Sequence, residues 1–415
     1  ASVVVNWSPV PKAVSYKVYR NTTNSFAATG LEVDISTVKT ATYWIDIGTA
    51  TSGATTPPTP TATAVDQPAV GQTYYVTYTY AKTAADMVPT IYFDYASVVA
   101  DYGALSLTNT LTLGAYLAFE QGATQLICVQ AVNNTYSDFQ AAIDQLALPI
   151  AGINPYYIIP LTSTLDPVIA EQVRSYTQQH IDTMSNPVNK KERVARFGYE
   201  TTKASIDLIA LAQKWHDERI KVMAPSVWMK TLTIDGVTSS VALDGSFFAV
   251  IDSAKDSILA SYESMINKPF LNIDSVPVLS DGLMNLMAAA GLTIVVLDNG
   301  SYVERDDLTT DMTNYNTQSP NIVKIKDAVI LDVRASAKPF IGVPLVPSVP
   351  ASLENAINST LTKQIPLNRI SRFVPAKAVQ SALEPRQINA SFGILPTYTT
   401  LWIYVTWTIN NGLLS

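Results

Sequence analysis

The stretch Asp281-Gly-Leu-Met-Asn-Leu-Met-Ala-Ala-Ala-Gly-Leu-Thr-Ile-Val-Val-Leu-Asp-Asn-Gly-Ser-Tyr-Val-Glu-Arg305 reads as helix, strand, turn and strand in direct succession. Asp281 caps the helix, Leu283, Leu286, Met287 and Ala290 follow at helical spacing, and Gly291 stops it. Leu292–Leu297 is the apolar run of a buried strand, and Asp298-Asn299-Gly300 has the turn chemistry that joins it to Ser301–Arg305 as a hairpin. A helix followed at once by a buried strand implies sheet and helices packed in layers.

The alternation extends outward in both directions. Upstream, helices are expected over 108–121 (stopped by Gly122), 139–146 and 167–184, with buried strands at Leu126-Ile-Cys-Val-Gln130 and Tyr156-Tyr-Ile-Ile-Pro160. A long helix should lead into the short strand Ile220-Lys-Val-Met-Ala224. Downstream, 324–334 reads as a helix, and Leu353, Ile357 and Leu361 form an amphipathic stripe at spacing four. In Leu401-Trp-Ile-Tyr-Val-Thr-Trp-Thr-Ile409, Trp402 and Tyr404 fall on one strand face and Val405 and Trp407 on the other. Two such faces suit a strand buried on both sides, either in its own domain's core or as part of an acceptor sheet for strands of neighbouring copies.

The first eighty residues follow a different pattern. Val3–Trp7, Ser15–Arg20, Tyr43–Gly48 and Tyr74–Tyr80 read as strands, with Tyr16 and Val18 on one face, and residues 51–71 form a Thr/Pro-rich loop or linker. The change of pattern near Val88 sets a β-module, 1–82, apart from the α/β part, which is read as two pieces, 83–307 and 308–415.

Charged residues make up only 15% of the chain, well below the usual ~25%, and Thr, Ser, Asn and Tyr take their place. The net charge of −7 gives no basic footprint for nucleic acid. No run of about 18 apolar residues is present for a membrane-spanning helix, and no leader peptide precedes the first strand. One cysteine excludes an intramolecular disulfide framework. Cys128 sits in an apolar run, as a buried structural thiol would. His180 and His216 lie within expected helices among polar neighbours, without a glycine-flanked catalytic turn, and read as surface or capping residues. Asp306-Asp307 reads as a solvated pair. No phosphate-binding loop of the P-loop ATPases occurs, and no cofactor is expected.

Charge is distributed unevenly. From Ala351 onward Lys363, Arg369, Arg372, Lys377 and Arg386 face only Glu354 and Glu384, which makes a basic C-terminal portion in an acidic protein. Such a face can set the register against acidic patches of a neighbouring subunit or an inner tube.

Two resemblances follow. Val5-Asn6-Trp7-Ser8-Pro9-Val10 and Ala13–Arg20, with the strand ending at Gly48, resemble a fibronectin type III module, which implies a β-sandwich around a buried Trp7. The ordered set Asn154–Thr162, Lys190–Gly198, Arg219–Pro225, Leu286–Gly291, Gly300–Arg305, Leu308–Thr310, Asp327–Arg334 and Lys338–Gly342 resembles the tail sheath proteins of contractile bacteriophage tails, over residues 83–415. A β-module ahead of it is similar to the larger sheaths of giant phages. The resemblance implies a multidomain α+β chain: an N-terminal β-sandwich-like module, a central subtilisin-like α/β domain without a catalytic triad, and a C-terminal α+β polymerisation domain. It implies a non-enzymatic subunit that polymerises helically around the inner tail tube and contracts to drive the tube through the host envelope for genome ejection. The partners implied are further copies of the chain, the inner tail tube protein, and baseplate and tail terminator proteins. Neither nucleic acid nor direct membrane insertion is implied. The place implied is the virion tail, assembled in the host cytoplasm. The family's N-terminal arm is missing at the start, as in a core fragment. A secreted subtilisin-like hydrolase with an accessory β-domain, and a surface adhesin, are the alternatives.

Overall fold

The computed structural model describes residues 88–234 and 236–400 and, before them, five strands: β1 (Val3–Asn6), β2 (Ala13–Asn21), β3 (Leu31–Asp34), β4 (Tyr43–Asp46) and β5 (Thr73–Tyr80). Ala1–Met87 and Val88–Ser415 are two compact units. In the first, β1 pairs with β4, and β2 lies between β3 and β5, all antiparallel. Four of these strands fall where sequence alternation places them, and β3 is additional. The expectations for the side chains of Trp7, Tyr16 and Val18, for the loop at 51–71 and for the strand at 401–409 lie outside the described residues.

The second unit is built around one mixed sheet. Its strands β8 (Tyr157–Ile158), β9 (Val194–Phe197), β10 (Ile220–Ala224) and β13 (Leu292–Asp298) run parallel, and β14 (Ser301–Asp306) closes the edge antiparallel. Spatial order equals chain order. Right-handed crossovers that always step the same way leave their helices on one face. Accordingly α4 (Pro167–Ser185), α5 (Asp207–Gln213) and α7 (Asp281–Ala289) share one apolar cluster: Ile181, Leu208, Ala212 and Met287 pack with Phe197, Val222 and Ile294. A sheet whose order never reverses also lacks the crevice at which open α/β sheets usually bind ligands.

The opposite face is covered from within the long β10–β13 connection. This carries the hairpin β11 (Val227–Ile234) and β12 (Val237–Asp244), then α6 (Gly245–Ser257). Phe248 and Ile251 of α6 join Met223 and Val295 of the sheet and Leu113 and Leu117 of α2 (Thr110–Glu120). Neighbouring residues of β10 thus serve opposite faces, which is why every residue in it is buried. Asn299 and Gly300, both at positive φ (47° and 80°), make the two-residue turn between β13 and β14, as the Asn-Gly pair predicts.

The C-terminal layer packs α8 (Pro320–Ala337) and α9 (Ser348–Gln364) on one face of the hairpin β15 (Ile370–Gln380) and β16 (Ile388–Pro396). The expected stripe Leu353, Ile357 and Leu361 is buried there against Ile325, Val329 and Ile370.

Several expectations need correction. The run from Leu126 is not a buried strand of the main sheet: β7 (Leu126–Cys128) is half-buried and pairs antiparallel with β6 (Thr90–Tyr92), beside α1 (Tyr95–Tyr102). The strand at 156–160 shortens to Tyr157–Ile158. The helix before β10 is a short one, α5, and it ends before His216. The cap of α7 is Ser280, whose hydroxyl accepts the Leu283 N–H at 3.4 Å, while Asp281 occupies the first turn. Between β7 and α4 lies α3 (Tyr136–Gln145), slightly longer than its sequence pattern indicates.

Candidate functional site

Three of the residues expected to meet a neighbour, Arg372, Lys377 and Arg386, are carried by the C-terminal hairpin, whose second face no described element covers. β15 contains two register shifts, and at the second Val374 pairs with Gly393 and Lys377 with Ser391, so three steps on β15 match two on β16. The extra residue resets the alternation. Arg372, Val374, Lys377 and Val379 thereby fall together on the face away from the helices, while Ala376 and Ala378 turn inward and are buried. Val374 and Val379 are each 65% exposed. A sheet covered on one side only alternates in this way, but its outer face ordinarily carries polar residues rather than two bare valines.

The five expected cations separate into three groups. Lys363, in the last turn of α9, and Arg372 and Lys377 are exposed and have no ion pair among the described residues. Arg386 is exposed in the β15–β16 turn and pairs with Glu384 at 2.9 Å. Arg369 is not a free surface cation: it donates to Asp332 at 2.8 Å, to the Gln364 side-chain oxygen at 2.9 Å and to Ser261 at 3.1 Å, fixing the start of β15 against α8, α9 and the segment after α6. Trp402, Tyr404, Val405 and Trp407 lie outside the described residues.

The two edges of the hairpin differ. On β15, the Ala376 N–H is taken by Asn358 at 2.7 Å and the Ala378 N–H by Glu354 at 2.8 Å, both from α9. That edge is blocked. The outer edge of β16 carries no strand partner among the described residues.

A second constellation was invisible in the sequence. Between the sheet and α6, the Lys221 ammonium donates to Asp252 at 2.8 Å, Glu304 at 2.9 Å and Asp307 at 2.9 Å. Its side chain and those of Asp252 and Glu304 are fully buried. Arg196 on β9 pairs with Asp252 at 3.1 Å and with Asp256 at 3.0 Å, and Lys324 of α8 reaches Asp256 at 2.9 Å. Burial opposes the charge of Lys221, but Asp252, Asp307 and Glu304 outweigh it and raise its pKa. Burial also raises Asp252, yet Lys221 and Arg196 bring it down to about 2. Asp307 is therefore not solvated as expected: Ser264 and the Met265 N–H donate to it as well. Asp306, beside it, is half-buried, and burial raises its pKa.

The basic-looking Lys190–Gly198 segment turns inward too. Arg193 is buried, donating to the Leu146 carbonyl at 2.6 Å and to His180. A guanidinium can only donate, so His180 accepts through Nε2 and is neutral. Burial first, and then the Arg193 charge, lower its pKa to about 4. His180 is thus a buried helix residue rather than a surface one. His216 is exposed, outside any helix, at φ 42°. The Cys128 thiol is raised to about 12 by burial, although the residue is only half-buried. A groove of about 800 Å³ beside α4 is lined by Glu171, Tyr199, Lys203 and Lys214, and Glu171 there pairs with Arg174 and Lys214. Among the described residues no group of His, Cys, Asp and Glu could hold a metal. The cluster of Asp252, Glu304 and Asp307 closes on the Lys221 ammonium instead.

No protein-family model and no curated protein matches the sequence. Solved structures do. The sheath complex of an extracellular contractile injection system (PVC) in its contracted state aligns with TM-score 0.58 at 12% identity, covering 78% of this chain and 87% of that one. The contracted helical sheath of the anti-feeding prophage (AFP) gives 0.58 and 12%, covering 79% and 90%. A chain of the AFP baseplate gives 0.58 and 12%, covering 78% and 88%. At this identity the likeness is one of fold, and most of the chain has the mixed α+β, multi-sheet fold of contractile-sheath subunits.

Proposed function

We propose that the chain is a structural subunit of a contractile tail sheath, polymerising helically around an inner tube and shortening to drive that tube through an envelope. The observation that carries the reading is the fold shared with sheath chains over nearly four fifths of the sequence. The C-terminal hairpin supports it, with an uncovered face and one open edge. A helical sheath needs contacts that repeat without closing, so each subunit must offer two different surfaces. Arg372 and Lys377, with Val374 between them and Val379 beyond, form one of them, facing an acidic patch on a neighbouring copy or on the tube. The outer edge of β16 accepts a strand, because main-chain bonds hold a neighbour while its connecting loop lets it tilt. Residues 401–409, with Trp402, Tyr404, Val405 and Trp407, are assigned to the same assembly region from their sequence pattern.

Residues 83–307 are read as the subtilisin-like part, without catalysis, and 308–415 as the assembly part. Residues 1–82 are read as a fibronectin-like sandwich of the kind added in giant-phage sheaths. Tube, baseplate and terminator proteins are the partners, in a phage tail or a phage-like injection device put together in the producing cell's cytoplasm.

Reversing charge on the uncovered face tests the reading. The double variant Arg372→Glu, Lys377→Glu changes only exposed side chains, so its fold and thermal transition should match the wild type. Polymers pelleted at low salt should be lost in the variant, and wild-type assembly should weaken as salt rises. Unchanged pelleting of the variant at low salt would remove this face from the interface.

A further inference from the structure

Between the central sheet, α6 and α8, four buried carboxylates (Asp252, Asp256, Glu304 and Asp307) face three cations, Lys221, Arg196 and Lys324. The set draws on several elements: Arg196 from β9, Lys221 from β10, Glu304 from β14, Asp307 just beyond it, Asp252 and Asp256 from α6, and Lys324 from α8. Tyr157 of β8 adds a hydroxyl that donates to Asp256 at 2.7 Å. With every acid ionised, the site holds one uncompensated negative charge. In a dry interior such a charge is discharged by taking up a proton.

The donors decide which acid takes it. Asp252 receives a hydrogen bond from Lys221 and lies 3.1 Å from the Arg196 guanidinium as a charge contact without hydrogen-bond geometry. Asp307 receives Lys221, Ser264 and the Met265 N–H. Asp256 receives Arg196, Lys324 and Tyr157. The Glu304 side chain, fully buried, receives Lys221 alone. We propose that Glu304 carries a proton in the folded protein, shared toward Asp252, and that this makes the joint between the sheet, α6 and α8 a pH-sensitive clamp. The direction of the Glu304 titration agrees: burial first, then the neighbouring Asp252 and Asp307, raise it well above the ordinary range despite Lys221.

The sign follows from linkage. An unfolded Glu releases its proton near pH ~4.3, while folded Glu304 keeps its proton to higher pH. The stability it contributes is therefore complete below ~4.3 and is lost as pH rises toward the folded value, about tenfold in the folding equilibrium per unit of pH in that window. Above it, an excess charge sits where α6 meets β14, and the clamp loosens.

Glu304→Gln keeps the shape and cannot ionise. Asp252→Asn removes one negative charge, which leaves three acids for three cations and lets Glu304 ionise. In infrared spectra at about pH 8, above the range near 6 where burial and Asp217 hold Asp182, the full chain should show the carbonyl band of a protonated carboxylic acid. Both variants should lose that band. The melting temperature of Glu304→Gln should fall less than that of the wild type between about pH 5 and pH 9. Absence of the band in the wild type, its survival in both variants, or identical pH profiles for wild type and Glu304→Gln would overturn the proposal. Because the wild-type spectrum and Asp252→Asn each report separately, the test survives a Glu304→Gln variant that does not fold.

Discussion

Replacing Lys221 with Met should all but abolish folding of the α/β unit. The side chain is wholly inaccessible, and its ammonium is shared by Asp252, Glu304 and Asp307 at 2.8–2.9 Å. Methionine fills a similar volume, so the loss is electrostatic. Breaking one buried pair by removing a partner costs about 3–5 kcal/mol, and here Asp252 and Asp307 lose the same cation and Glu304 loses its one donor. Against a total stability of about 5–15 kcal/mol, little would remain. Lys230→Met is the useful contrast. Lys230 is equally buried, but it has one carboxylate partner, Glu120 at 2.7 Å, whose side chain is partly exposed and can turn to water. Urea unfolding followed by circular dichroism should place Lys221→Met far below Lys230→Met. A Lys221→Met protein within about 1 kcal/mol of wild type would mean that the cluster contributes nothing to holding the sheet.

Gly198→Ala should be nearly as damaging, for a steric reason. Where β9 ends and α6 begins, the two backbones touch: a Cβ on Gly198 would lie 1.8 Å from the Gly245 carbonyl carbon and oxygen and 2.3 Å from the Ser246 nitrogen. No rotamer relieves a clash with main chain, so the Gly245 N–H to Tyr199 carbonyl bond at 2.9 Å must open and α6 must shift. α6 carries Asp252 and Asp256, so the displacement also pulls at the buried ions. Gly282, on α7, meets nothing within 4 Å, and Gly282→Ala should instead stabilise by about 0.5–1 kcal/mol through helix propensity. Thermal melts of the two variants should therefore move in opposite directions. Equal melts for Gly198→Ala and wild type would contradict the close crossing.

The elements legible in the sequence are those whose cause is local. The stripe of α9, the Asn299-Gly300 turn and Pro167 at the first turn of α4 each act within a few residues, and each appears where expected. The helix α6 was missed because nearly all of it is buried, so it shows no polar face and no amphipathic period. The hairpin β11–β12, absent from the expectations, does have a sequence signal, the Asp235-Gly236 pair between alternating segments.

The buried charges were illegible for a different reason. Lys221 in an apolar strand, and Arg193 and Arg196 in a basic-looking run, find their partners far away in the chain. Asp306-Asp307 reads as solvated from its neighbours alone, and only tertiary packing turns Asp307 inward. At the proposed interface, the five cations were visible as composition. That Arg369 is used internally, and that a bulge puts Arg372 and Lys377 on one face with two exposed valines, depends on the paired strand.

The most direct test of the sheath reading is electron microscopy of the purified full chain over a range of concentration and ionic strength. The account predicts tubes or stacked rings with a helical repeat, denser at low salt and missing in Arg372→Glu, Lys377→Glu. Monodisperse monomers at every concentration and salt, from protein with a single cooperative melt, would contradict it.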